Sequence, residues 1–335
     1  MKTLEFAREL LAIPSPSGYA KNIMKFLGEV CGKRDLKYHF SPKGNMSIDF
    51  AGKNDHTVGL CAHVDTLGAM IKSINSDGTL KFTVIGGPLL PTYDGEYCYV
   101  LTRGGKTYTG TFLSNSPSIH VYRNATTLER KEDNMHVRLD EKVKSKDDVL
   151  KLGIAPGDFI SVEPKTVITE SGFIKSRFLD DKISVAILFS VIDEIIEKRL
   201  ELKYNVKIII TAYEEVGHGA SAIPEVDELI AVDMGCVGDD LSCTEYDVSI
   251  CAKDSFSPYD FDMTNNLVKK AQELQLNYAL DIYPYYGSDV SAALRSGNNI
   301  RGALIGPGVS ASHGMERTHL DAVNNTIRLI IGYLT

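Results

Sequence analysis

The chain has no tryptophan, no Cys-x-x-Cys pair and no apolar run near the roughly 20 residues of a membrane-spanning helix. It also lacks a basic excess: 36 Lys and Arg stand against 44 Asp and Glu, a formal charge of −8. That balance argues against a general nucleic-acid binder, which needs a basic face. The six cysteines are scattered, as reduced core residues of a cytoplasmic protein would be. For Cys236 and Cys243 a structural role is favoured over a disulfide or metal pair. The stretch Met1–Leu11 is amphipathic and carries acids, unlike the unbroken apolar core of a signal peptide. What is present is ordinary globular material. At 335 residues, 43% hydrophobic and 24% charged, the chain is long enough for a large core and two domains.

One stretch organises the rest: Ile208-Ile209-Ile210-Thr211-Ala212-Tyr213-Glu214-Glu215-Val216-Gly217-His218-Gly219. The β-branched run reads as a buried strand of a parallel sheet. The glycines read as a turn at its carboxyl end, where open α/β sheets place their sites. Two adjacent acids there either solvate a loop or are held by something cationic. As strand residues they would point to opposite faces, toward different partners.

Helical periodicity covers residues 3–12 and 20–31, broken by Ile13-Pro14-Ser15-Pro16-Ser17-Gly18, with Ser17 a candidate helix cap. Lys37–Phe40, Met46–Phe50 and Val58–Ala62 read as strands, the last leading to His63-Val64-Asp65. A His and an Asp two apart on extended chain share a face, which suits a ligating imidazole with a carboxylate beside it, or a surface pair. From about Met70 the texture shifts to Gly, Thr, Tyr and Val with repeated turn signals and short alternating runs. This predicts a small β-rich domain at 69–167 inserted into an α/β domain formed by 1–68 and 168–335, with a mixed, mostly parallel sheet flanked by helices. After Phe178 the α/β pattern resumes. Asp180-Asp181-Lys182 leads into an amphipathic helix over 183–198, and further strands end at Asp233 and before Gly306-Pro307-Gly308. Ser312-His313-Gly314-Met315-Glu316 precedes a last helix at 321–334.

Polar groups therefore sit at several strand ends or helix starts: His63 and Asp65, Asp180 and Asp181, Glu214 and Glu215, and Asp233, with His313 on a loop. Right-handed crossovers bring them to one sheet edge. Two imidazoles and three carboxylates form a ligand set for two borderline divalent ions, such as zinc or cobalt. One divalent ion would leave an excess of negative charge, whereas two leave a slight positive surplus that favours hydroxide. A remaining carboxylate can then act as general base.

These residues carry a resemblance to the tetrahedral (TET) aminopeptidases, the cocatalytic metallopeptidases of glutamyl and deblocking type. The matching motifs are Pro16-Ser17-Gly18-Tyr19, Ala62-His63-Val64-Asp65, Arg177-Phe178-Leu179-Asp180-Asp181-Lys182, Glu214-Glu215-Val216-Gly217, Val232-Asp233 and His313-Gly314-Met315-Glu316. They occur in family order across essentially the whole chain. The resemblance implies a dinuclear-metal aminopeptidase with two Zn²⁺ or Co²⁺ ions. In it Asp180 bridges the ions, His63 and Asp233 complete one site, and Glu215 and His313 complete the other. It further implies a bridging hydroxide as nucleophile, Glu214 as general base and Asp65 orienting His63, with Asp181 not a ligand. The inserted domain would be PDZ-like and mediate homo-oligomers, from dimers to dodecamers, acting on peptides without nucleic acid or membrane. A deblocking amidase or deacylase, and a peptide-binding shell protein without catalysis, are the competing expectations. His218, where many members carry a Leu-Arg pair before the Gly, either touches substrate or decorates the turn. The aromatic loop Asp281–Asp289 either lines a pocket or packs on the sheet.

Overall fold

The structure, a computed structural model, describes residues 2–335. It contains two compact units, one formed by residues up to Asp65 with Lys165–Thr335 and one by Thr66–Pro164.

The larger unit begins with helices α1 (Lys2–Leu11) and α2 (Lys21–Lys33) and strands β1 (Tyr38–Phe40), β2 (Met46–Phe50) and β3 (Thr57–His63). The smaller unit holds β4 (Gly68–Ile74), β5 (Leu80–Ile85), β6 (Tyr97–Leu101), β7 (Thr107–Ser114), β8 (Met135–Leu139), helix α3 (Lys146–Lys151) and β9 (Phe159–Val162). These six strands pair antiparallel into a closed barrel, in the order β4-β5-β8-β7-β6-β9. Closure removes sheet edges, and the alternating runs supply its interior. Phe82 and Phe112 meet edge to face at 4.9 Å, buried with Val100, Val137 and Ile160. The Ser145 side chain accepts the Asp148 N–H and caps α3.

The larger unit resumes with β10 (Val167–Ile168), β11 (Phe173–Ser176), α4 (Leu179–Glu197), β12 (Asn205–Thr211), β13 (Glu228–Val232), β14 (Gly235–Cys236) and β15 (Val248–Lys253). It closes with α5 (Phe261–Glu273), β16 (Tyr278–Ile282), α6 (Asp289–Arg295), β17 (Arg301–Val309), β18 (Glu316–His319) and α7 (Leu320–Leu334). Its main sheet runs β1-β2-β12-β3-β13-β17-β15-β16, with β14 beside β17. The centre, β12-β3-β13-β17, is parallel. The α/β class with a mostly parallel sheet is as the sequence indicates.

Strand β13 is buried throughout and β12 from Ile208 to Thr211, as both faces of a covered sheet require. Register decides what lies at their ends. Thr211 pairs with His63 and Val232 with Ile305, so β3, β12 and β13 finish at one edge. Strand β17 does not stop before Gly306-Pro307-Gly308 as expected but runs through it to Val309, held there by β15 and β14. Gly306 lets the chain pass there: a Cβ on it would lie 1.8 Å from the Asp233 carbonyl oxygen.

Two local readings change. Helix α4 is not a surface amphipathic helix; fourteen of its nineteen residues are buried. It packs between strand β3 and helices α1 and α7, which leaves it little solvent face. Ser17 does not cap α2, whose cap position is Ala20 and carries no side-chain bond; its hydroxyl is used elsewhere.

Candidate metal and catalytic site

His63 is the last residue of β3, and Asp180 lies in the first turn of α4. Glu214 and Glu215 follow β12, and Asp233 follows β13. His313 lies in the loop between β17 and β18. All five candidate ligands and the candidate base thus meet at the carboxyl edge of the parallel strands, where such sheets hold their sites. The ligand atoms of His63, Asp180 and Asp233 lie within 4.8 Å of one another, and so do those of Asp180, Glu215 and His313. Asp180 belongs to both groups. Its Oδ1 is 3.1 Å from His63 Nε2 and its Oδ2 is 3.5 Å from His313 Nε2. His313 Nε2 is also 3.6 Å from Glu215 Oε2, and His63 Nε2 is 3.6 Å from Glu214 Oε2.

The two glutamates reach these partners differently from a strand's alternation. Tyr213 adopts a left-handed conformation, φ 74°, and turns the chain out of β12. Glu214–Val216 then forms a single 3₁₀ turn. The pair still splits between two histidines, because a helical turn rather than the pleat separates the side chains.

The residues that hold this cluster are more numerous than the motifs. Asp65 is fully buried, but its carboxylate does more than face His63. The ring Nδ1 of His63 is 2.9 Å from the Asp65 backbone oxygen and 3.6 Å from Oδ1. The carboxylate accepts the Ser17 hydroxyl at 2.5 Å and the backbone N–H groups of Glu214 and Glu215 at 3.1 and 3.3 Å. Asp65 therefore ties the His63 strand end to the Glu214–Glu215 turn. Asp181 accepts the His63 backbone N–H at 3.2 Å and lies outside both ligand groups. Glu316 accepts the backbone N–H of Asp180 at 3.0 Å and that of His313 at 3.1 Å, fixing two candidate ligands at once. Sequence reading gave Ser17 and Glu316 no site role, although both lie in the motifs quoted above.

Electrostatics test whether the cluster fits cations. Burial, with other carboxylates close by, drives Glu214 and Glu215 well above the usual range. The same causes, burial first and then Asp180, push Asp233 up to about 7. Burial works against charging His63, but the carboxylates of Asp180 and Asp65 outweigh it and hold the imidazole protonated. Asp180 stays ionised despite burial because it faces both histidines. Such a cluster wants positive charge, and divalent cations supply it while displacing the imidazole protons. Glu215 Oε1 is buried with no hydrogen-bond partner, as a ligand oxygen would be. Ligands about 2.1 Å from a tetrahedral zinc ion lie roughly 3.4 Å apart, comparable with the separations above. The donor set therefore fits two divalent metals.

A cavity of about 640 Å³ opens on the cluster, walled by Asp180, Glu214, Glu215, Asp233 and His313. Tyr285, Tyr286 and Gly287 of the 281–289 loop line it as well, which answers the question left open for that loop. The Tyr286 hydroxyl donates to the Met234 carbonyl at 3.1 Å. His218 is absent from this wall and stacks on Tyr213 instead, ring centres 5.0 Å apart. A larger cavity, about 900 Å³, borders α4 and α7 but has no histidine or cysteine in its described wall, so chemistry rather than size picks the site. The cysteines are free, including Cys236 and Cys243.

The chain matches known proteins along most of its length. The model of the M42 glutamyl aminopeptidase family matches residues 44–329. The chain is 45% identical over 337 residues to the "Putative aminopeptidase YhfE" of Bacillus subtilis (strain 168), covering 99% of this chain and 97% of that protein. Among solved structures, a TET aminopeptidase from the marine sediment archaeon Thaumarchaeota archaeon SCGC AB-539-E09 superposes with a TM-score of 0.89. It shares 18% identity, over 100% of this chain and 97% of that one. The Pyrococcus horikoshii TET1 peptidase, which can assemble into a tetrahedron or a large octahedral shell, gives 0.85 at 22% identity over 98% of both chains. Among the described residues no helix is long and apolar enough to cross a membrane. The family match over most of the chain, joined to a fold shared with TET aminopeptidases, means that the chain belongs to the M42 glutamyl aminopeptidase family.

Proposed function

We propose that the protein is a dinuclear-metal aminopeptidase that removes N-terminal residues from peptides. The observation that carries this reading is the position of Asp180, whose two oxygens face His63 on one side and His313 on the other. One carboxylate shared by two ligand groups is what a two-metal site requires. His63 and Asp233 complete one group and Glu215 and His313 the other. These residues would hold two divalent ions such as Zn²⁺ or Co²⁺, which would supply Lewis acidity toward the scissile carbonyl and a water acidic enough to attack near neutral pH.

The chain's own residues do the rest. Glu214, beside His63 and lining the cavity, takes the proton from the attacking water on its carboxylate and passes it to the leaving amine. Burial, with Asp233 and Asp289 close by, raises its proton affinity, the direction a proton acceptor needs. Asp65 holds the backbone of Glu214 and the ring of His63 in one frame, and Glu316 does the same for Asp180 and His313. Asp233, at the cavity wall, borders the place where a free α-amine would sit.

The assembly reading follows the neighbours. The inserted barrel, residues 69–167 in the sequence division, is the element proposed to mediate homo-oligomers, from dimers to dodecamers. The free cysteines support a reducing compartment such as the cytoplasm.

The test is hydrolysis of leucyl, glutamyl, lysyl and alanyl p-nitroanilides, each beside its N-acetyl form, by chelated protein with Zn²⁺ or Co²⁺ restored. Metal-dependent cleavage of the free-amine forms alone is the expected result. Preferential cleavage of acetylated forms would replace the reading with a deblocking amidase. Two tightly bound ions with no cleavage of any substrate would leave a binding or shell protein.

A further inference from the structure

The cavity over the metal cluster has a wall that the ligand set does not use. Among the described residues lining it, Arg295 is the one Lys or Arg. It is the last residue of α6, it is exposed, and its guanidinium carbon lies 3.9 Å from the centre of the Phe256 ring. No ion pair or hydrogen bond to another described residue engages it. A guanidinium stacked by its face keeps its edge donors free, and these match a carboxylate in two parallel bonds.

The platform is built, not incidental. Asp254 is fully buried and accepts the backbone N–H of Phe256 at 2.8 Å and of Ser257 at 3.0 Å. It also accepts the Tyr259 hydroxyl at 2.8 Å and the hydroxyl of Ser291, in the first turn of α6. One carboxylate thus ties the Phe256 loop to the helix that carries Arg295. From the other side, Ser255 N–H donates to the Tyr286 carbonyl at 3.1 Å, and Tyr286 N–H to Ser255 Oγ at 2.7 Å. Gly287 closes the packing, since a Cβ there would lie 2.6 Å from the Phe256 ring. Phe256 keeps half its surface exposed, 52%, a cost that its support of a cation explains.

Charge points the same way. Two divalent ions would balance the four carboxylates of the wall, Asp180, Glu214, Glu215 and Asp233, leaving Arg295 as surplus positive charge. We infer that Arg295, held on Phe256, is a specificity residue that anchors a carboxylate of the substrate. This rests on the peptidase reading of the cavity. The carboxylate has two sources, an acidic side chain on the N-terminal residue or the free C-terminus of a short peptide.

The test measures kcat/KM for two pairs on the metal-restored enzyme: glutamyl against glutaminyl p-nitroanilide, and Leu-Leu against Leu-Leu amide. A charge-assisted, bidentate contact should favour the acid member of one pair by roughly ten- to a hundredfold. The pair showing it names the source. In Arg295→Gln that ratio falls toward one, and in Arg295→Lys part of it survives. Ratios near one for both pairs in the wild type, or a ratio that Arg295→Gln leaves intact, overturn the inference. If no free-amine substrate is cleaved, the peptidase reading falls separately. Calorimetric binding of the same four compounds then decides on Arg295 by the same ratios of Kd.

Discussion

Replacing Asp65 with Asn keeps the side-chain shape and removes one charge and one acceptor from a fully buried position. In the native protein four groups converge on the carboxylate. Oδ1 faces the Glu214 N–H at 3.1 Å and His63 Nδ1 at 3.6 Å; Oδ2 faces the Ser17 hydroxyl at 2.5 Å and the Glu215 N–H at 3.3 Å. An Asn has one oxygen to offer. Ser17 can rotate its hydroxyl and become an acceptor, but a backbone N–H cannot. Whichever way the amide is placed, one N–H of the Glu214–Glu215 turn faces another donor. A buried donor left without a partner costs about 1–3 kcal/mol, and the turn relieves that cost by moving, taking the base or a ligand with it. Loss of such supporting contacts around a metal site typically weakens metal affinity about 10- to 100-fold. Asp65→Asn should therefore bind Zn²⁺ some 10- to 100-fold more weakly in a chelator competition. At saturating metal it should also lose roughly tenfold in kcat on leucyl p-nitroanilide, since a shifted Glu214 remains shifted when the ions are present. Wild-type metal affinity together with wild-type kcat would refute the argument and reduce Asp65 to a space-filling residue.

Glu214→Gln should lower kcat by roughly 10²–10⁴-fold while elemental analysis still finds two ions per chain; retention of most of the kcat would remove Glu214 from the base role. His313→Ala deletes a ligand from one group only, so the tightly bound metal count should drop from two toward one, and an unchanged count would contradict the assignment. Lys182 gives a pH test. Burial depresses it from 10.5 to about 7, with Asp65 opposing. Below about pH 7 it is charged in both folded and unfolded chains and its burial cost is present in full. Between about 7 and 10.5 only the unfolded chain holds the proton, so stability rises with pH by up to roughly 1.4 kcal/mol per unit. In Lys182→Met that component of the slope should vanish in urea titrations across this range, and an identical slope in both proteins would place the lysine's pKa elsewhere.

Strand ends were readable in the sequence because the signal is local. A β-branched run such as Ile208–Ile210 announces a covered parallel strand, and the polar residues after it, like those after Cys61-Ala62 and Val232, must then lie at the sheet edge. Parallel pairing aligns these ends without any side chain being specified. The β-rich character of the inserted segment was readable for a related reason, since alternation and turn residues recur within a few positions; its closure into a barrel, which depends on β4 meeting β9 far along the chain, was not. Helix α4 was misread because period alone cannot tell one covered face from three; it packs on β3, α1 and α7, the last far away in the chain, and even Lys182 is buried, its ammonium donating to the Ile13 carbonyl.

The supporting contacts of the site were not readable, and the reason is distance along the chain. Ser17 has the local signature of a helix cap, yet its hydroxyl bonds to Asp65, 48 positions on, and the helix starts without it. The sequence offers the local partner because propensities are local averages, whereas the fold offers a buried carboxylate that needs a donor and gives a far stronger bond. Glu316 likewise acts through backbone groups, one of them 136 positions away, and a backbone N–H leaves no residue type to match. The same reasoning separates the ligands from their supports under mutation. A candidate ligand is recognised by its residue type, so His63, Asp180, Glu215, Asp233 and His313, the proposed ligands, announce themselves together; a support is recognised only by what it positions. Ser17→Ala and Glu316→Gln should therefore alter metal affinity and kcat through the geometry of residues they hold, although neither side chain belongs to a ligand group.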